Sequence, residues 1–391
     1  MLSNRPFTAR AYTPSNPVSR CRPSTVSSVA APQQAHPGAS QATKDPLLLR
    51  VARGESGERT PVWLMRQAGR YMAAFRKFSD KYTFRERSEN ADIATELSLQ
   101  PWHAFHPDGV IMFSDILTLL PAIGVEFQVI KGRGPLIAAP LRDASAVAAL
   151  RPLEDPAASL PFVGETLRNL RAEVGDGAAV LGFAPTPWTL AAYCVEGRAD
   201  RNCRATKTMM LRDPALLACL MDRLADAIAA HLEYQVASGA QVLQLFDSWA
   251  HHLTPAQHAA HGAAQTERVL RRLAASCPGV PVMLHTNGCA GKLAALGALP
   301  AAAVGVDWHQ PMRDARVALG ADVVVQGNVD PMLLFGSEAD VRAGVAACLE
   351  EAGPERHIMN LGHGVIEGTP EASVGAFVQL TKELSAARRR G

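Results

Sequence analysis

Two arginines stand out first. Arg66 and Arg70 lie four residues apart in Arg66-Gln67-Ala68-Gly69-Arg70-Tyr71, directly after a short apolar run. On a helix that spacing places both on one face. No acidic residue follows until Asp80, and two guanidinium forks without a local partner suit an anionic ligand, because guanidinium grips carboxylates bidentately. Asp115 closes the apolar stretch Val110-Ile111-Met112-Phe113-Ser114. A carboxylate there either caps a following helix, as Ser114 would too, or accepts ligand N–H groups and stabilises positive charge developing in a bound ring. The residues alone leave both readings open. His363 sits between Gly362 and Gly364, where the glycines allow close backbone approach and unusual φ. It reads either as a site group or as a structural histidine. Tyr193, in the segment Trp188–Glu196, is open in the same way, since a packed tyrosine can satisfy its hydroxyl internally. Ser248 belongs to no Ser–His–acid motif, and Gly-x-Ser-x-Gly is absent, so it does not read as a nucleophile.

Other chemistries find little support. His285 and Cys289 are four apart, but no third imidazole or thiolate stands at a recognisable metal-binding spacing. The seven cysteines are scattered and none forms a Cys-x-x-Cys pair, the pattern of free thiols in a reducing compartment. His251-His252 reads as a solvated loop. Neither a Walker loop nor a dinucleotide fingerprint occurs, so no metal and no cofactor is expected. With 39 basic and 37 acidic residues and a net charge of +2, the chain lacks the basic excess of a general nucleic-acid binder. No run of 18 apolar residues exists, which excludes a membrane-spanning helix.

The elements that must hold these residues follow from periodicity. Short apolar runs recur at Pro61–Met65, Gly109–Phe113, Ala179–Phe183, Val242–Phe246, Pro281–Leu284, Ala303–Val306, Val323–Val325 and His357–Leu361. They do not alternate with polar residues, as expected of strands buried on both faces. Helical stretches separate them. In the clearest, over 213–238, Leu216, Leu217, Leu220, Leu224 and Ile228 recur at helical spacing after the start signal Asp213-Pro214. Eight such strands with intervening helices predict a (β/α)₈ barrel in a single domain, 45–391. An open doubly wound sheet is the alternative, but the first run is not followed by a glycine-rich phosphate turn. Gln128–Pro135 reads as a hairpin insertion. Polar sequence follows nearly every run, so in a barrel these segments converge on the C-terminal mouth. Residues 1–44 carry five bases and no acid, with eleven Ser/Thr and six Pro. That is the composition of a disordered transit peptide, with Ser, Thr and Pro favouring the chloroplast over the mitochondrion or the cytosol.

Five motifs together resemble the uroporphyrinogen decarboxylase family: Pro61–Tyr71, Phe113-Ser114-Asp115-Ile116-Leu117, Pro187-Trp188-Thr189-Leu190, Gln326–Pro331 and Asn360–Gly364. Phe84–Ala91 is similar to the plastid form. The resemblance, running from about Pro46 to Leu384, implies a cofactor-free (β/α)₈ lyase of tetrapyrrole synthesis, commonly a homodimer with facing clefts. Its substrate would be uroporphyrinogen III, whose four acetate side chains become methyl groups, giving coproporphyrinogen III. It further implies that Arg66 and Arg70 bind substrate carboxylates and that Asp115 accepts the pyrrole N–H groups and stabilises a protonated pyrrole. Tyr193, Ser248 and His363 would contact substrate side chains. The chain departs from the family pattern at Ser79, Met72-Ala73-Ala74, Pro185-Thr186, His285-Thr286-Asn287 and His309-Gln310. Two other functions stay in play: a corrinoid-dependent methyltransferase of the same superfamily, which would need a zinc-bound thiolate, and a non-catalytic porphyrin-binding protein.

Overall fold

The computed structural model describes residues 45–390 apart from Lys131; the expected N-terminal extension lies outside them. The strands are β1 (Gly109–Ile111), β2 (Phe127–Ile130), β3 (Gly134–Ile137), β4 (Ala179–Pro185), β5 (Val242–Asp247), β6 (Val282–Thr286), β7 (Ala303–Gly305), β8 (Val324–Gln326) and β9 (His357–Ile358). β2 and β3 are the expected antiparallel hairpin. The other seven form one parallel sheet in the order β1-β4-β5-β6-β7-β8-β9. Every residue of β4 is buried, which accounts for its unbroken apolar sequence. The helix Pro214–Ala237 begins where expected: the Asp213 carboxylate accepts the Leu216 N–H at 3.0 Å. Its Leu217, Leu220, Leu224 and Ile228 are buried on one stripe, each contributing roughly 1.5–3 kcal/mol of transfer free energy.

The first apolar run, Pro61–Met65, supplies the eighth position through a single parallel bridge, Val62 to Met359. On one side the Met359 N–H donates to Pro61 O at 2.8 Å and the Trp63 N–H to Met359 O at 3.3 Å. On the other side the Asp108 N–H donates to Val62 O at 2.7 Å. The return bond is not a ladder bond. The Val62 N–H donates instead to the Asp108 carboxylate, at 2.8 Å. Arg59 grips that carboxylate with both terminal nitrogens, at 2.7 and 2.6 Å. A side chain thus stands in for a backbone carbonyl and joins the first strand position to the second.

A polar thread runs through the barrel interior. Trp63 Nε1–H donates to Gln326 Oε1 at 3.0 Å, and Gln326 Nε2 donates to Gln244 Oε1 at 3.1 Å. Gln244 Nε2 then donates to the carbonyls of Leu245 and Met283. Both glutamines are satisfied, which buried amides require.

Truncating Asp108 removes an acceptor and leaves the Val62 N–H and the Arg59 charge unpaired. Asp108→Ala should cost about 3 kcal/mol in urea unfolding, the scale of breaking a buried charged pair from one side. Asp108→Asn, which keeps one acceptor oxygen, should cost clearly less. Equal losses in the two variants would show that the carboxylate is not the clasp.

Candidate active site at the barrel mouth

Each site residue sits at the C-terminal end of a strand position. Arg66 follows the first, Asp115 lies four residues after β1, Ser248 directly follows β5, and His363 lies five residues after β9. Tyr193 is on the helix Pro187–Glu196, which starts two residues after β4. The charge of Arg66 acts on Asp115, Tyr193 and His363, and that of Asp115 acts on Tyr193. Four residues taken from sequence segments some 300 positions apart therefore share one electrostatic neighbourhood. Ser248 joins it through its neighbour Trp249, whose ring lies 4.6 Å from that of Tyr193.

Asp115 is not a helix cap. A turn follows it, and the next helical element is the short 3₁₀ segment Pro121–Ile123. One oxygen, Oδ1, accepts the Leu117 N–H at 2.8 Å and fixes the carboxylate within its own turn. Oδ2 has no hydrogen-bond partner among the described residues. The residue keeps some accessible surface although protein crowds it. This desolvation raises the Asp115 pKa above the usual carboxylate range; the Leu117 N–H and Arg66 pull against it.

Arg66 and Arg70 do not share a helix face. The segment is a turn, and Arg66 adopts a left-handed backbone with φ of 57°. Its side-chain stem lies over Gly364, where an added Cβ would come within 2.4 Å of Arg66 Cδ. Gly362 is needed for the same kind of reason, since a Cβ there would sit 2.2 Å from the Trp308 backbone nitrogen. The two glycines around His363 thus supply space and not positive φ, which neither adopts. The absence of a local acid misled on Arg70: Glu367, remote in sequence, pairs with it at 2.8 Å, with both side chains more than half exposed. The His363 ring meets Trp308 edge to face at 5.5 Å. Desolvation, then Arg66, lower its pKa, so it presents a neutral imidazole at neutral pH. Of the expected solvated loop, His251 is indeed exposed, but His252 is partly buried. They form a 3₁₀ turn, with His252 against Trp249 at 5.3 Å and His251 Nδ1 3.1 Å from Ser248 O.

The groups that hold this arrangement were in segments the sequence marked, but their roles were not legible there. Asp247, at the end of β5, accepts hydrogen bonds from Thr186 Oγ1 at 2.7 Å and Thr189 Oγ1 at 2.9 Å, and its other oxygen lies 3.2 Å from His258 Nε2. The Trp249 N–H donates to Thr189 Oγ1, and the Trp188 indole N–H to Trp249 O. These bonds pin the helix that carries Tyr193 to the segment that carries Ser248. Thr186, one of the atypical residues, is that helix's N-cap. Asp307, fully buried, collects the N–H groups of Gly288 and Cys289 on one oxygen and that of His309 on the other. Asn360 Oδ1 accepts the Met65 and Leu361 N–H groups and joins the turns bearing Arg66 and His363. His285 is buried beside Phe246, its ring centroid 6.3 Å away; burial pushes its pKa down to about 4, and Nδ1 has no hydrogen-bond partner among the described residues. Among the described residues, no group of three or more His, Cys, Asp or Glu could hold a metal ion, and no helix is long and apolar enough to cross a membrane.

Residues 43–384 match the family model for uroporphyrinogen decarboxylase. The chain belongs to that family. The uroporphyrinogen decarboxylase of Picosynechococcus sp. (strain PCC 7002) is 49% identical over 346 residues, spanning 88% of this chain and 99% of that one. The enzyme of the same name from Crocosphaera subtropica is 48% identical over 344 residues, 88% and 97% of the two chains. Among solved structures, a methyltransferase from Methanosarcina mazei superposes with a TM-score of 0.70 at 19% identity, covering 87% of this chain and 99% of that one. This last likeness is one of fold. It confirms the barrel expected for a uroporphyrinogen decarboxylase.

Because the Arg66 stem fills the place of a side chain at position 364, Gly364→Ala should push Arg66 aside. We expect a loss in kcat/KM of about tenfold, the worth of one displaced charge-assisted contact, with the melting temperature changing by only a few degrees. A variant with full activity would mean that Arg66 is not held against Gly364 in the working enzyme.

Proposed function

We propose that the mouth binds uroporphyrinogen III and removes the carboxyl groups of its four acetate side chains, leaving methyl groups in coproporphyrinogen III. As a member of its family the chain is a carboxy-lyase of porphyrin biosynthesis. The observation that carries the assignment of residues is the desolvated Asp115 carboxylate, with one oxygen tied down and one unpartnered, facing Arg66 in a cluster with Tyr193 and His363.

Loss of CO₂ from an acetate leaves an electron pair that the adjacent ring must accept. Protonation of the neighbouring pyrrole carbon makes the ring that acceptor; once CO₂ has left, the exocyclic methylene takes a proton to become the methyl group and the ring carbon gives its proton back, so the barrier falls wherever ring cation is stabilised. An ionised Asp115 does this best, through its free oxygen and by accepting pyrrole N–H groups. Water is partly excluded there, so each charge interaction is stronger than in solution. Arg66 and Arg70 hold substrate carboxylates as bidentate partners; the exposed Arg70–Glu367 pair is weak enough to be exchanged for a ligand. Tyr193, Ser248 and His363 contact the side chains around the ring. Arginine as the proton donor is demanding, given its high pKa.

The raised pKa of Asp115 fixes the sign of its pH dependence. Turnover needs the ionised form, so kcat should rise with pH through the raised value. Stability runs the other way: the folded state holds the proton more tightly than the unfolded chain, so stability falls as pH climbs from the ordinary carboxylate range through the raised value. Asp115→Asn removes both effects. It should lose at least about a hundredfold in kcat, the cost of a missing transition-state electrostatic partner, while remaining no less stable than wild type at neutral pH. Asp115→Glu, with its charge one methylene displaced, should fall between. Anaerobic incubation with uroporphyrinogen III, then oxidation and chromatography of the products, measures all three. Near-wild-type turnover in Asp115→Asn would remove Asp115 from the chemistry, and wild-type protein without any four-carboxyl product would remove the reaction itself.

Residues 1–44 we read as a chloroplast transit peptide, ahead of the mature domain 45–391. The acid-free composition supports this, and the cyanobacterial sources of the relatives accord with a plastid enzyme. A fluorescent protein fused to residues 1–44 should enter chloroplasts; retention in the cytosol would refute the reading. A homodimer with facing clefts is part of the same proposal, by resemblance to the family.

A further inference from the structure

Among the described residues, Arg87 is a buried cation with no acid paired to it. It lies on the short helix Phe84–Glu89, with 8% of its surface exposed. Three rings surround its guanidinium: Phe75 at 5.3 Å, Phe84 at 5.5 Å and Phe113 at 5.7 Å. Its Nε–H donates to Thr83 O at 3.3 Å. The two terminal nitrogens have no hydrogen-bond partner among the described residues. The charge that acts on Arg87 is another cation, Arg70. The neighbouring arginine on the same helix, Arg85, is committed to Glu89 at 2.6 Å, with Glu126 more distant at 3.8 Å.

A desolvated guanidinium beside a like charge is unfavourable unless something compensates. Aromatic faces recover part of the loss. They do nothing for the repulsion by Arg70, and they leave the terminal N–H groups unused. An anion lying against both guanidiniums, taking the place of Glu367 on Arg70, would serve both charges at once. The position suits this. Phe113 is two residues before Asp115, and Phe75 belongs to the helix Ala73–Ser79 that follows Arg70 and Tyr71. Arg87 therefore flanks the same rim as Arg70, on the Asp115 side of the mouth.

We propose that Arg87 is a further substrate-binding residue, which with Arg70 receives a carboxylate at the edge of the macrocycle while its aromatic collar holds the guanidinium in place. This rests on the reading of the mouth as a uroporphyrinogen site.

The full-length enzyme tests it by steady-state kinetics with uroporphyrinogen III at several salt concentrations, alongside thermal melting. Arg87→Met keeps the stem against the rings and removes the charge. It should raise KM about tenfold with kcat within about twofold, the scale of one lost charge-assisted contact, and its KM should depend less steeply on salt than that of wild type. Arg87→Lys keeps the charge without the fork and should recover part of the affinity. A purely structural Arg87 would instead lower the melting temperature and leave KM and its salt dependence unchanged; that result overturns the proposal. If Arg87→Met fails to fold, Arg87→Lys decides alone, since an unchanged KM there is equally fatal. Wild-type enzyme without turnover of uroporphyrinogen III would mark failure of the underlying reading, whereas an active wild type with an indifferent Arg87→Met marks failure of this one.

Discussion

A parallel sheet that curls into a ring must meet itself, and here the meeting is made by a side chain. Seven strands pair through regular ladders, but the eighth position offers one bridge at Val62. The ring closes because Asp108 gives both its N–H and its carboxylate to the same residue. Arg59 makes that carboxylate tolerable in a half-dry setting by holding both oxygens. Everything at the mouth hangs on this closure. Arg66 follows the bridge by four residues, and Asp115 follows Asp108 by seven. Without the clasp the two would sit on opposite edges of an open sheet, and those edges would offer unpaired backbone groups to other chains.

Above the ring, buried carboxylates and amides do for the loops what ladders do for the strands. Asp247, Asp307 and Asn360 each collect two or three donors from different segments. Bonds to ionised acceptors contribute more than neutral ones, and leaving such donors unmet would be expensive. That explains why acids recur at strand ends where a core residue would otherwise be expected.

The strand pattern was legible because two-sided burial writes itself as unbroken apolar runs, and all eight runs lie at strand positions of the barrel. The helix Pro214–Ala237 was legible from its cap and stripe. What was not legible depended on contacts remote in sequence. Glu367 could not be foreseen as the partner of Arg70 across some three hundred residues. Gly362 and Gly364 signalled close approach or unusual φ; the close approach is real, but that it clears Trp308 and Arg66 was not visible. Arg87, inside a charged helical segment, carried no sign of its aromatic collar, since Phe75 and Phe113 come from two other elements. Thr186 and Thr189 do have the spacing of a cap and its partner, but their shared anchor on Asp247 appears only in three dimensions.

The mouth therefore has two walls of different character. The wall built on β4, β5 and β7 is dry and over-determined, with Thr186, Thr189, Asp247 and Asp307 all buried. The wall bearing Arg66, Arg70 and Glu367 is a turn of exposed ions facing a loop. Sequence change acts differently on the two. On the first wall a substitution breaks several bonds at once and is purged as lost stability, whatever it does to the ligand. On the second it costs little in folding and is felt mainly in what is bound. Adaptation to a macrocycle with differently arranged acidic groups thus has a path through the ionic wall alone, along which the barrel never approaches the threshold at which it would cease to fold.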